Sequence, residues 1–207
     1  MNRFANLTVS ELLDALASSD PTPGGGTASA IAGAMGASLL IMVTGLAKSK
    51  TNTGEEKAAL GAARRALEPI RAELMRLADA DTEAFDEVIT AYRLPKATEQ
   101  NKAARTAAIQ RALRKATVTP LDTLRSCADA LAHAVVVAAA GNRSAASDVG
   151  VAVGLLEAAA AGAEANVRIN LDSLRDEAFK SATSAETTRL AGGAAAQGAA
   201  ARDQLSA

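Results

Sequence analysis

The feature that most constrains this chain is an uncharged run that begins with a glycine triplet. Residues 21–47 read PTPGGGTASAIAGAMGASLLIMVTGLA and contain no charged side chain. The prolines and glycines disfavour a helix up to Gly26, and Thr27 is a good N-cap for a helix that runs to Ala47. A helix that is apolar all round has to be covered on every side. We therefore predict that residues 27–47 form the long, buried central helix of the fold.

Both halves of this run allow a second interpretation. An uncharged run of about twenty residues is long enough to span a bilayer. We favour a buried helix without a membrane, because alanine and glycine insert weakly and we find no second run of that length. Gly24, Gly25 and Gly26 lie just ahead of a helix N-terminus, where free N–H groups and the helix dipole attract an anion. Spacing alone leaves a tight turn without a ligand equally open.

Composition narrows the class of protein. The chain has 207 residues, enough for one good-sized domain, and only 2% of them are aromatic. The net charge of -1 argues against a nucleic-acid surface, which needs a basic excess. One Cys and one His cannot form an internal disulfide or a Cys/His zinc site. A lone Cys favours a reduced, cytoplasmic setting, and the N-terminal residues lack the apolar run of a signal peptide.

Helix signals continue along the whole chain. Thr8 to Glu11 reads as a capping box that opens a helix to about Ser18, with Val9, Leu12, Leu13 and Leu16 on its apolar side. Long helical patterns follow from Glu55, from Thr98 and from Ser147 or Asp148, and we expect Pro69 and Pro120 to kink or divide the first two. No period-two pattern indicates a strand. The prediction is one all-α, multi-helix bundle over residues 1–190, followed by a frayed, low-complexity tail over residues 191–207.

Asp81 is a carboxylate in an apolar seam. Leu74, Leu77, Asp81, Phe85 and Val88 follow a spacing of 3, 4, 4 and 3 residues, so they lie on one face of a helix. A carboxylate there costs several kcal/mol unless it is paired, hydrogen-bonded or protonated. Desolvation also raises its pKa toward the range that suits a general acid or base. The residues alone leave a structurally held, buried aspartate equally open.

A second polar group lies nearer the C-terminus. Asn142 is in a predicted turn, Ser147 and Asp148 are at a helix start, and Asn166 and Asn170 are four residues apart on one helical face. Amides flanked by small residues can bind the donors and acceptors of a ligand. Helix capping is the alternative for the first three residues.

The chain resembles the cyclodeaminase and methenyltetrahydrofolate cyclohydrolase family. Four separated segments carry the resemblance, in the same order, over about residues 7–180: TPGGGTASAIAGAMGASLLIMV, DADTEAFDEVITAYRLPKAT, GNRSAASDVGVAVGLLEAAAAGAEANVRINL and DEAFK. The resemblance implies an all-helical homodimer that acts on one-carbon tetrahydrofolate derivatives without a metal or nucleotide.

The resemblance also implies a set of site residues. The catalytic carboxylate of the family corresponds to Asp81, in the segment DTEAF. Substrate-binding candidates are Gly24, Gly25, Gly26, Lys96, Asn142, Ser147, Asp148, Asn166 and Asn170. Folates end in glutamate carboxylates, for which we expect Lys96 and the amides of the glycine triplet to be partners.

Two reactions occur among proteins of this kind. One opens 5,10-methenyltetrahydrofolate with water to 10-formyltetrahydrofolate. The other closes 5-formiminotetrahydrofolate to 5,10-methenyltetrahydrofolate with loss of ammonia, usually in a domain fused behind a formiminotransferase. We favour the hydrolase because a chain of this length has no room for a transferase. A free-standing cyclodeaminase and a non-catalytic folate-binding helical protein remain as alternatives.

Overall fold

Helices make up nearly all of the residues that the computed structural model describes, which are 4–46 and 53–206. The six α-helices are α1 (Val9–Ala17), α2 (Gly25–Gly45), α3 (Gly54–Tyr92), α4 (Glu99–Ala140), α5 (Ala146–Asp172) and α6 (Glu177–Ser206). Two 3₁₀ turns, Phe4–Asn6 and Arg143–Ala145, complete the regular structure of these residues, and they contain no strand. The all-α prediction is confirmed.

Four of the helices form a ring. α2 packs against α3 and α5, α4 also packs against α3 and α5, and α2 makes a smaller contact with α4 across the middle. α6 lies against α4 and α5. This ring creates the geometry of the site, because α2 is much shorter than the three helices that surround it.

α2 fits between its neighbours because its buried side is made of small residues. A Cβ on Gly36 would lie 2.8 Å from the main-chain oxygen of Ala152, and a Cβ on Gly33 would lie 3.0 Å from Sγ of Cys127. Burial raises the pKa of the Cys127 thiol to about 12, so this thiol is an inert packing group. Side chains larger than glycine at these two positions would push the helices apart.

The start of α2 differs from the prediction. The helix begins at Gly25, and its N-cap Gly24 lies three residues before the predicted cap Thr27. Thr27 instead lies in the first turn, fully buried, and its hydroxyl donates to the side chain of Asp81. The other end of the predicted helix, at Ala47, lies outside the described residues.

The capping box at the start of α1 is formed as predicted. The Thr8 hydroxyl accepts from the main-chain N–H of Glu11, and the Glu11 carboxylate accepts from the N–H of Thr8. The predicted apolar side of α1 is only half covered, because Val9 is 75% and Leu13 58% exposed. Leu12 packs partly buried against a small cluster around Phe4.

Two interruptions that the sequence suggested are absent. α3 continues through Pro69 and α4 through Pro120, so neither proline divides its helix. The prediction of a frayed tail after residue 190 is also wrong, because α6 continues as a helix to Ser206. Ala194 and Ala201 are buried in it, and Arg202 forms an ion pair with Glu157 of α5. Alanine and glycine at the contact allow a low-complexity segment to pack closely.

Three helices are long and apolar enough to cross a membrane, by length and composition alone. They are Gly25–Gly45, Glu99–Ala140 and the combined segment Arg143–Asp172. The prediction that only one run is long enough to span a membrane was wrong. That prediction counted only runs with no charged residue, whereas a spanning helix can hold a few charged residues. Within the bundle the apolar windows of these helices are between 39% and 61% buried.

Candidate active site

The candidate site lies where α2 ends and its three neighbours continue. Beyond the N-terminus of α2, the ring has walls from α3, α4 and α5 only, and a cavity of about 270 Å³ occupies the place of the fourth helix. Its lining comes from all four helices and from the segment that leads into α2. The residues are Pro21, Thr22, Gly24, Gly25, Gly26, Asp81, Phe85, Val88, Leu113, Ala116, Asn166 and Asn170.

Asp81 is the one carboxylate among these lining residues, and it lies against the first turn of α2. Its Oδ2 accepts a hydrogen bond from the Thr27 hydroxyl at 3.0 Å, and the carboxylate also accepts from the main-chain N–H of Thr27. A Cβ on Gly26 would lie 2.6 Å from Cγ of Asp81. The anion that occupies the N-terminus of α2 is therefore the side chain of Asp81.

Burial raises the pKa of Asp81 above its ordinary value of 3.8, although the two hydrogen bonds from Thr27 act in the opposite direction. The apolar seam accounts for this desolvation, since Leu74, Leu77 and Val88 are buried on the same face. A carboxylate with a raised pKa holds a proton more strongly than a surface aspartate does. It can therefore take a proton from a nucleophile and return it to a leaving group.

Asn166 and Asn170 form the opposite wall of the cavity. The Asn166 amide nitrogen donates to the main-chain oxygen of Gly162, and the Asn170 amide nitrogen donates to that of Ala116, both at 2.8 Å. These bonds orient the two amides. Neither Oδ1 accepts a hydrogen bond within residues 4–46 and 53–206. Each amide oxygen therefore offers an acceptor for an N–H group of a ligand.

Three of the predicted binding residues lie at the other end of α5. Asn142 caps the 3₁₀ turn, with its Oδ1 accepting from the N–H of Ser144, while Ser147 and Asp148 lie in the first turn of α5. Asp148 precedes Asn166 by 18 residues, which is about 27 Å along a helix. Within one chain the predicted polar group is therefore divided into two.

The two predicted partners of a substrate tail are also separated. The glycine triplet borders Asp81, at the reactive end of the cavity. Lys96 is exposed in the segment after α3, beyond the C-terminus of that helix. Gly26 thus packs against the carboxylate of Asp81, and the binding of an anionic tail by the glycine amides stays a prediction.

Some lining residues carried no signal in the sequence. Phe85 and Val88 were part of the apolar seam around Asp81, so their place in the cavity wall follows from the helical period. Leu113 and Ala116 come from α4, whose sequence has no pattern that distinguishes these two residues from its other apolar residues. Only the packing of α4 beneath the end of α2 brings them to the cavity.

A larger cavity on the outer side of α2 has a different character. It measures about 810 Å³, and its lining is mostly aliphatic, with Met35, Met42, Met75 and Val151 among the residues and Arg71 as the one charged side chain. We assign the chemistry to the smaller cavity, because a carboxylate and two oriented amides converge there. Across the described parts of the chain, no three His, Cys, Asp or Glu side chains come close enough to hold a metal ion.

Comparisons with known proteins agree on one family. Residues 8–189 match the family model described as Formiminotransferase-cyclodeaminase. The chain is 46% identical over 174 residues to the methenyltetrahydrofolate cyclohydrolase of Methylorubrum extorquens, with 84% of each chain covered. It is 35% identical over 174 residues to the formimidoyltransferase-cyclodeaminase of Gallus gallus, covering 81% of this chain and 31% of that protein.

The fold has a solved counterpart. The crystal structure of formiminotetrahydrofolate cyclodeaminase from Thermotoga maritima matches with a TM-score of 0.88 at 28% identity, and the match covers 98% of both chains. The alignment with the Gallus gallus protein therefore concerns about a third of a longer chain, whereas the other two proteins match along most of their length.

Proposed function

Because this chain belongs to the formiminotransferase-cyclodeaminase family, we propose that it is a methenyltetrahydrofolate cyclohydrolase that opens 5,10-methenyltetrahydrofolate to 10-formyltetrahydrofolate. The observation that carries the choice of reaction is the 46% identity to a cyclohydrolase over 84% of both chains. The relatives named cyclodeaminase are less similar, at 35% identity and below.

The cavity supports a folate with its pterin ring innermost. A pterin carries an N–H and an amino group on one edge, and the unoccupied Oδ1 atoms of Asn166 and Asn170 are acceptors for such donors. The apolar walls at Phe85, Val88 and Leu113 suit the faces of a planar ring. In this orientation the two nitrogens that flank the methenyl carbon face the opposite wall, which holds Asp81.

Asp81 acts as the general base in this proposal. The methenyl carbon lies between N5 and N10 in a cationic amidinium, so it is electrophilic before the enzyme acts. The Asp81 carboxylate attracts this cation and accepts a proton as water attacks the carbon. It then returns the proton to N5 as the C–N5 bond of the tetrahedral adduct breaks, and the hydroxyl proton of the adduct is released to solvent as the formyl C=O bond forms. The product is the N10-formyl compound, and the carboxylate is regenerated.

Cyclodeamination remains the second candidate, because one specific observation favours it. The Thermotoga maritima cyclodeaminase matches this chain over 98% of both lengths. A cyclodeaminase can therefore have the size of this chain, so the length of the sequence does not separate the two reactions. The same carboxylate would take the proton from N10 as it attacks the formimino carbon and would protonate the departing ammonia.

One assay distinguishes these reactions from simple binding. The purified protein is mixed with 5,10-methenyltetrahydrofolate and the loss of its near-ultraviolet absorbance is compared with buffer alone. A parallel assay with 5-formiminotetrahydrofolate follows the rise of the same absorbance. Loss in the first assay supports the hydrolase, and a rise in the second alone supports the cyclodeaminase. Saturable binding without turnover in either assay would make the chain a folate-binding protein.

We also propose that the protein is a homodimer whose contact surface is the outer side of α2. No residue from Gly25 to Gly45 is charged, yet Met35 is 55% exposed on that side. Val151 of α5 is 56% exposed and lines the same apolar groove. An isologous contact would cover the groove in both copies at once. This arrangement satisfies the requirement that a helix without a polar face be covered on every side.

A further inference from the structure

The region ahead of the N-terminus of α2, along the axis of that helix, continues beyond the cavity. α2 begins beside Asp81, whereas α3 continues to Tyr92, 11 residues or about 16 Å further along its axis. α5 likewise continues past Asn166 to Asp172. In the described residues, the helix bounds thus leave the line of α2 without a helix between α3, α4 and α5 toward the C-terminus of α3, and we call this position the slot.

One face of α3 follows this slot and ends in an aromatic ring. Asp81, Phe85 and Val88 line the cavity, and Tyr92 continues their spacing of 4, 3 and 4 residues. The period of a helix places all four on one face. Tyr92 is 47% exposed. An exposed ring in line with the cavity wall offers a stacking surface to a planar part of a ligand.

A cation lies over this ring. Arg105 of α4 donates from Nε and Nη2 to the main-chain oxygen of Tyr92, at 3.2 and 3.0 Å. Its guanidinium carbon is 5.5 Å from the centroid of the Tyr92 ring. Arg105 forms no ion pair with an acidic side chain of residues 4–46 or 53–206. Its positive charge is therefore available to an anion at the end of the slot.

We infer that the slot holds the aminobenzoyl-glutamate arm of the substrate, with its ring against Tyr92 and a glutamate carboxylate on the guanidinium of Arg105. The inference rests on the proposed function, since it needs a folate in the cavity. A volume of about 270 Å³ lies below the usual range for sites that enclose a whole ligand, which starts at about 300 Å³. The pterin fills such a cavity, so the arm extends along the slot.

Arginine suits this position for a geometric reason. Its planar guanidinium can donate two parallel hydrogen bonds to one carboxylate, and it keeps its charge at every physiological pH. Arg105 also stabilises the C-terminus of α3 by donating to the main-chain oxygen of Tyr92, its last residue. If Arg105 only caps α3, its replacement should change KM equally for substrates with and without the glutamate. If Arg105 binds the glutamate, only the substrate with the glutamate should be affected.

The test compares 5,10-methenyltetrahydrofolate with 5,10-methenyltetrahydropteroate, which keeps all the rings but ends in a benzoate carboxylate and lacks the glutamate. For Arg105→Gln we expect KM for the folate to rise about tenfold, the scale of one lost charge-assisted hydrogen bond. KM for the pteroate should stay at its wild-type value, and kcat should stay unchanged for both. A purely structural role would raise KM for both substrates together.

The matched control is Arg111→Gln. Arg111 is another arginine of α4, exposed where Arg105 is half-buried, and it lines a different groove with Asp86, Glu87 and Thr90 of α3. We expect it to change neither KM. Tyr92→Ala should raise KM for both substrates, since both contain the aminobenzoyl ring, whereas Tyr92→Phe should leave both unchanged.

Several results would overturn the inference. One is a wild-type KM that does not distinguish folate from pteroate, and another is an Arg105→Gln variant that affects both substrates equally or neither. If the wild type opens neither substrate, the proposed reaction fails, and the arm site is then judged by the dissociation constants of tetrahydrofolate and tetrahydropteroate. Loss of that difference in Arg105→Gln supports the site, and its persistence rejects it.

Discussion

The carboxylate of Asp81 occupies the space that a side chain at Gly26 would need. The two residues are 55 positions apart in sequence, and a Cβ on Gly26 would lie 2.6 Å from Cγ of Asp81. The glycine lets α3 bring its carboxylate onto the first turn of α2. The hydrogen bonds from Thr27 then hold that carboxylate at the inner end of the cavity.

Asp81→Asn tests the general base. The amide keeps the size of the side chain and one acceptor oxygen, but it cannot take up the proton. We expect kcat to fall at least about a hundredfold, the usual scale of one general acid or base, with the fold and folate binding retained. The control is Asp86→Asn, an exposed residue of the same helix. A near-normal kcat for Asp81→Asn would remove the proposed mechanism.

The pH dependence of stability tests the environment of Asp81. Because its pKa is raised in the folded state, the folded protein binds this proton more strongly than the unfolded chain does. The free energy of unfolding therefore falls as the pH rises from 3.8 through the raised pKa, and the loss persists above it. Asp81→Asn should unfold at a higher temperature than the wild type at pH 8, with the difference shrinking toward pH 4. A variant less stable than the wild type at pH 8 would contradict the raised pKa.

The same carboxylate predicts the pH profile of the reaction. General base catalysis needs Asp81 ionised, so the kcat/KM of the wild type should fall on the acid side as Asp81 becomes protonated. The midpoint of that fall should lie above 3.8, the ordinary value for an aspartate. An activity that is constant down to that pH would show that a different group takes the proton.

Gly26→Ala tests the fit between α2 and Asp81. The added methyl group overlaps the carboxylate, which has to rotate away from the cavity. We expect kcat to fall at least about tenfold, because a base displaced by 1 Å or more loses its alignment. The temperature of unfolding should change little, since alanine favours the helix. Gly192→Ala is the control, because a Cβ there meets nothing within 4 Å. Full activity in Gly26→Ala would mean that the position of Asp81 is not critical.

Lys96→Ala tests the predicted contact with the substrate tail. Lys96 is exposed and lies four residues beyond Tyr92. A contact far from the reacting carbon stabilises the ground state and the transition state alike, so KM should rise more than kcat falls. The rise should be about two- to fivefold, as for an exposed ion pair. Lys102→Ala, which removes a lysine already paired with Glu99, should leave KM unchanged. An unchanged KM in Lys96→Ala would mean that Lys96 does not bind the substrate tail and that Arg105 is the remaining candidate.

Met35→Glu tests the proposed dimer. In an isologous contact the substitution places two unpaired carboxylates in one apolar interface, which should raise the dissociation constant of the dimer at least about a hundredfold. Light scattering should then report a monomer for Met35→Glu and a dimer for the wild type. Leu94→Glu, at an exposed apolar residue outside the groove, should remain a dimer. A monomeric wild type would reject the proposal, and binding of the wild type to lipid vesicles would point to a membrane instead.

Local sequence determined the helices and the position of Asp81 within one of them. The capping box at Thr8 and Glu11 is satisfied by residues three positions apart, so its geometry is independent of the rest of the chain. The same holds for the seam around Asp81, because the helical period alone places Leu74, Leu77 and Val88 on its face. Interactions of this kind are visible in sequence because their partners lie within one or two turns of helix.

Tertiary structure decided which polar residues meet. Asn142, Asp148, Asn166 and Asn170 look like one group in the sequence, but Asn142 precedes α5 and the helix places Asp148 about 27 Å from Asn166. The anion at the N-terminus of α2 comes from α3, and the floor of the cavity comes from α4. These relations depend on where α2 ends relative to its neighbours, and the relative positions of helices are set by the packing of side chains distant in sequence, such as Gly36 against α5 and Gly33 against α4.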